Sequence, residues 1–134
     1  MPLTLADAEK VIDAARQKAV SLGVNVTIAI VDEGGHLVAM RRMDGANAMS
    51  PKVAEGKAVG AAMFRRDGAW LLSTANDRPA FWAAVKDLAG KPIVPGPGSL
   101  PLTKDGAMAG AVGVSGAKPD EDHACAEAGV SSVA

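Results

Sequence analysis

Leu5, Ala8, Ile12, Ala15, Ala19 and Leu22 recur at alternating steps of three and four. That spacing draws one apolar stripe along a helix. Thr4 stands where a cap belongs, Asp7 follows three residues on as in a capping box, and Gly23 suits the residue just past the end. The pattern predicts a helix over 5–22. The period then drops to two. In "VNVTIAIVD", Val24, Val26, Ile28 and Ile30 face one way, while Asn25, Thr27, Ala29 and Val31 face the other. β-Branched residues at that period read as a strand. "EGG" supplies a turn. "HLVAMRRM" returns as a second strand, with Arg41 and Arg42 on opposite faces. At most one arginine is then expected to face any one pocket.

The period lengthens again in "SPKVAEGKAVGAAMF", where Ser50 is read as the cap and Pro51 as the first helical residue. Gly56 and Gly60 weaken this helix and let another backbone come close to it. A short helix or irregular turns follow over 67–76, and a helix runs from near Pro79 to Gly90. "KPIVPGPGSLPL" reads as a loop with short strands at both ends. "KDG" at 104–106 is a hairpin turn into the glycine-rich strand "AMAGAVGVSG". "KPDEDHACAEAGV" closes the chain as a helix whose first-turn acids meet the positive end of its dipole. The expected class is α+β: one antiparallel sheet of about five strands flanked by helices, in the order α-β-β-α-α-β-β-α.

Length and charge narrow the function. The 134 residues fit one domain, 1–134. Hydrophobic residues make up 49% but aromatics only 3%, so the core is built from small side chains. A net charge of −1 supplies no basic field for nucleic acid or an anionic membrane. No window approaches the roughly 18 apolar residues of a membrane span. The first ten residues do not read as a signal peptide. A single cysteine, Cys125, cannot form an internal disulfide or a cysteine-based zinc site. A cytoplasmic location is therefore expected.

Several residues are candidates for chemistry. Arg41 and Arg42 suit a carboxylate clamp. Lys57, midway along a helix of small residues, needs a nearby anion or carbonyl, or a route for its ammonium back to water. His36, beside the glycine turn, and His123, in the last helix, can serve as acid, base or iron ligand. Pro2 becomes a secondary-amine base if Met1 is removed. The backbone of "GSLPLT", around Leu100 and Thr103, offers ligand contacts.

Five segments together resemble a known family: "LTLADAEKVIDAA", "VTIAIVDEGGHLVAMRRMDGA", "KVAEGKAVGAAMF", "GSLPLTKDGAMAGAVGVSGA" and "DEDHACAEAGV". They are similar, nearly end to end, to the haem-binding-protein family named after GlcG and HbpS, which includes the C-terminal domain of PduO-type cobalamin adenosyltransferases. The resemblance implies a profilin-like sheet flanked by helices and homo-oligomers: dimers, tetramers or octamers. It implies a small ligand, haem first. On that footing Arg41 or Arg42 and Lys57 would hold ligand carboxylates; His36 and His123 have the chemistry to ligate the iron, though no motif places them there. Two other readings are a small isomerase, tautomerase or lyase using Lys57 or Pro2 as base, and a partner or chaperone of a metalloenzyme.

Overall fold

The computed structural model describes residues 2–134. Helix α1 (Leu5–Leu22) forms as its stripe requires: Thr4 and Asp7 close the capping box and Gly23 takes the left-handed conformation at the far end. Ala8, Val11, Ile12, Ala15 and Ala19 are buried, while Leu5 and Leu22, at the ends of the stripe, are exposed. Strands β1 (Thr27–Asp32) and β2 (Leu37–Arg42) make the first hairpin. Helices α2 (Ser50–Phe64), α3 (Gly68–Asp77) and α4 (Pro79–Ala89) follow, so the 67–76 segment is helical. Strands β3 (Ser99–Lys104) and β4 (Ala107–Ser115) make the second hairpin, and α5 (Pro119–Ser131) ends the chain.

The sheet has four antiparallel strands in the order β2-β1-β4-β3, not about five. The first part of "KPIVPGPGSLPL" stays a loop because Pro92, Pro95 and Pro97 lack the N–H that a ladder uses. Val94, between them, donates its N–H to the Gly56 carbonyl of α2 instead.

The period of two along β1 and β4 builds two cores. Val26, Ile28, Ile30, Val112 and Val114 face α1 and α5; Val31 and Ala111 face α2 and the helices outside it. Each fully buried branched side chain contributes roughly 1.5–3 kcal/mol. The α2 layer is close because its contacts are small. A β-carbon on Gly56 would stand 2.7 Å from Val94 Cγ2, and one on Gly60 would stand 2.9 Å from Ile93 Cγ2. The two glycines thus seat the 91–98 loop on α2. Ser50 does not cap α2, whose N-cap is Met49 without a side-chain bond. Its hydroxyl is 2.8 Å from Thr27 Oγ1 on β1 and donates to the Asn47 carbonyl.

One ion pair joins the start of α1 to the second hairpin. Lys104 Nζ is 2.8 Å from Asp7 Oδ2. That hydrogen bond, with help from Thr4, holds the Asp7 carboxyl down at about 2. A carboxyl lowered by folding stabilises the fold above its ordinary value of 3.8, and the contribution is lost as pH falls towards 2. Thermal melts from about pH 5 down to 2 are expected to show a smaller acid loss in Lys104→Met than in the wild type. Equal losses in both proteins would exclude the pair as a source of acid sensitivity.

Candidate functional site

Two clefts lie at opposite ends of β2. The first, about 460 Å³, opens between α1 and the end of the strand. Ile12, Val20 and Met43 give it an apolar lining; Arg16, Arg41 and Arg42 bring positive charge, and Glu9, Asp13 and Asp44 bring negative charge. Both strand arginines line it, contrary to the one-per-pocket expectation. Their register does alternate, with Arg41 opposite Ile28 and Arg42 opposite Thr27. β2 is an edge strand, however, and Arg42 is its last residue. Its guanidinium turns back to the Ala46 carbonyl, at 3.2 Å from Nε and 2.7 Å from Nη2. Arg41 donates to the carbonyl of its neighbour Met40 at 2.9 Å. Neither has a carboxylate partner among the described salt bridges; Arg16 stands 3.6 Å from Asp13.

The second cleft, about 690 Å³, lies at the β1–β2 turn. Its apolar walls come from Pro2, Leu3, Val38 and Ala109; His36, Met108 and the carboxylates of Asp32 and Glu33 line it as well. The turn is held by Asp32, whose Oδ1 accepts the N–H groups of Gly34 and His36 at 2.9 and 3.0 Å. Gly35 has φ +79, which favours glycine there. The imidazole lies over Gly34: a β-carbon on that residue would be 3.1 Å from Cδ2 and Nε2 of His36. Lys91, just past α4, reaches the turn from the far side. Its Nζ is 3.0 Å from the Gly35 carbonyl and 3.2 Å from His36 Nδ1.

Lys57 lies in neither cleft. It is 7% exposed, and its Nζ bonds the Val114 carbonyl at 2.8 Å and Asp122 Oδ2 at 3.0 Å. Asp122 Oδ1 accepts the Ala117 N–H. Burial pushes the Asp122 carboxyl up from its ordinary value, against the pull of Lys57 and that N–H. The pair ties α2 to α5 past the end of β4, and Lys57 turns no free lone pair towards a substrate. Its ammonium does not run back to water, one of the two expectations; it meets the other, an anion and a carbonyl together. Asp122, read from the chain as one of three dipole-facing acids, is the partner that sequence reasoning missed, as it missed Met108 in the turn cleft and Lys91 beside His36.

The remaining candidates are dispersed. His123 Nε2 is 3.6 Å from Glu127 Oε2 on the α5 surface. Leu100 packs against the core under α1 and α5, while Thr103 borders a hollow of about 270 Å³ with Asp7 and Lys104. Pro2 lines the turn cleft, and its carbonyl accepts from Lys104 at 3.3 Å. Burial drives the Cys125 thiol up to about 11, so it is a core residue rather than a nucleophile. Among the described residues no three His, Cys, Asp or Glu side chains are grouped to hold a metal ion. No described helix is long and apolar enough to cross a membrane.

Comparison with known proteins gives this architecture a family. GlcG of Escherichia coli K12 is 34% identical over 110 residues, covering 81% of this chain and 77% of GlcG. The crystal structure of a double mutant of Streptomyces reticuli HbpS superposes with a TM-score of 0.88 at 31% identity, covering all of this chain and 88% of that one. The crystal structure of a PduOC:haem complex also gives 0.88, at 27% identity, covering 99% of this chain and 96% of that one. The family described as "Haem degrading protein HbpS-like" matches residues 3–131, and the chain belongs to it.

Proposed function

We propose that the chain binds haem in the cleft at the β1–β2 turn, with His36 as the candidate iron ligand. The observation that carries this reading is the donor set: an imidazole and the thioether of Met108 share one cleft with the apolar walls of Leu3, Val38 and Ala109. Imidazole and thioether are both haem-iron ligands, and apolar walls suit the macrocycle. The residues present therefore fit haem, which when bound would supply a redox-active iron. Membership of a family described as haem degrading, and a close likeness to PduOC as its haem complex, support the choice. The protein's own part is to fix the backbone of His36 through the Asp32 turn and to shield the macrocycle. Haem handling, in the cytoplasm and as a homo-oligomer, is the role that follows. Leu88, 85% exposed on α4, and Val20 on α1 offer apolar surface to a second copy.

Titration with haem is expected to shift and sharpen the Soret band of free haem, a change that His36→Ala loses and His123→Ala keeps. A second reading rests on the two strand arginines without carboxylate partners: the cleft beside α1 would take a carboxylated ligand, haem propionates included. Under that reading the Soret shift survives His36→Ala and weakens in Arg41→Ala. A Soret band that stays that of free haem in the presence of the wild-type protein would end both haem readings.

A further inference from the structure

An ammonium group has three donors and no acceptor. Lys91 Nζ, at 3.2 Å from His36 Nδ1, can therefore only donate to it, and Nδ1 must offer its lone pair. In the neutral ring the proton then resides on Nε2. The neighbouring contacts hold this arrangement. Lys91 is anchored by its second bond to the Gly35 carbonyl, the His36 backbone is fixed to Asp32, and the ring lies over Gly34.

A histidine that binds a metal through Nε2 needs its lone pair there and a proton on Nδ1. The usual partner of that second nitrogen is an acceptor, a carboxylate or a carbonyl. Here it is a donor. We propose that Lys91 is a positioning residue that keeps His36 in the Nε2–H form, unready for iron until Lys91 withdraws. The consequence for haem rests on the function proposed above; the tautomer itself does not. The change is balanced: Nε2 gives a proton to solvent, Nδ1 takes one from solvent, and the ring stays neutral. Lys91 then keeps only its bond to Gly35. The α4–β3 loop thus controls the ligand that the β1–β2 turn presents.

The test begins without haem. Long-range proton–nitrogen correlation spectra of the full, ¹⁵N-labelled chain, taken near pH 8 where an ordinary imidazole is neutral, report the tautomer. The wild type is expected to show Nε2–H for His36. Lys91→Met should give a mixture, and Lys91→Glu, which places an acceptor at Nδ1, should give Nδ1–H. Backbone amide spectra show whether each variant keeps the fold, and Lys91→Met serves if Lys91→Glu does not. Haem titration of the same proteins is expected to show tighter binding by about ten-fold in Lys91→Glu. A wild-type Nδ1–H form, or a tautomer indifferent to both folded variants, overturns the proposal. If the tautomer follows Lys91 while haem binding ignores His36, the assignment of Lys91 stands and the haem site falls.

Discussion

Lys57→Met is expected to lower the unfolding free energy by about 3–5 kcal/mol, the usual result of removing one partner from a buried ion pair. Against a typical domain total of about 5–15 kcal/mol, the variant is left marginal. The loss does not measure an intrinsic strength of the pair. It arises because Asp122, 3% exposed, keeps its desolvation cost after the ammonium that faced it has gone. The Val114 carbonyl loses a donor as well. Two controls follow. Lys57→Met combined with Asp122→Leu removes both charges and should recover much of the loss. Lowering the pH should shrink the single variant's deficit. Burial already raises the Asp122 carboxyl above its ordinary value, and losing Lys57 raises it further. Such a group favours the fold when protonated, a contribution present at low pH and lost as pH rises through its folded pKa. Urea unfolding at neutral pH and near pH 5 measures both controls. A single variant within about 1 kcal/mol of the wild type would show that the pair is solvated in solution.

Gly113→Val is expected to be similarly damaging, at about 3 kcal/mol or more, through overpacking. Gly113 lies near the end of β4, a strand paired on both sides, opposite Ala29 of β1 and Ser99 of β3. A β-carbon there would overlap the Ala54 carbonyl oxygen and stand 2.7 Å from the Ala58 nitrogen. Both atoms belong to the backbone of α2, so no side chain can swing aside; the whole helix must lift off the sheet. Gly90→Ala is the contrasting case. Gly90 has φ +69 and open space where its β-carbon would be, so only the left-handed penalty of roughly 1–2 kcal/mol applies. Thermal or urea denaturation of the two variants distinguishes packing from backbone strain. Equal small losses would mean that the α2–sheet contact yields easily.

Both effects depend on features that the chain announces unevenly. The glycines of α2 and β4 are visible as letters, and their use as close-approach points can be read for α2 from their spacing in a helix. Which backbone approaches cannot be read. For Gly56 it is the proline-rich loop at Val94, and for Gly113 it is α2 itself. The buried pair was half legible. Lys57 among alanines and glycines asked for a partner, but three acids in the first turn of α5 looked alike. Only packing selects Asp122 over Asp120 and Glu121. The two strand arginines show a different limit. Alternation orients Cβ atoms, yet a long side chain at the end of an edge strand can bend round it, and both arginines reach one cleft.

By itself the sequence determined α1 with its caps, the two hairpins and the course of α2, α4 and α5, because those depend on apolar period, turn residues and caps within a few positions of one another. The capping of α2 and the helical state of 67–76 it left to the structure. It also determined that α2 would pack tightly, since its side chains are small. Tertiary structure alone decided the number of strands in the sheet, the partner of Lys57 65 residues away, and the meeting of Lys91 with His36 across 55 residues. Those contacts arise only when separate elements are stacked in three dimensions, and no local period carries the identity of a distant neighbour.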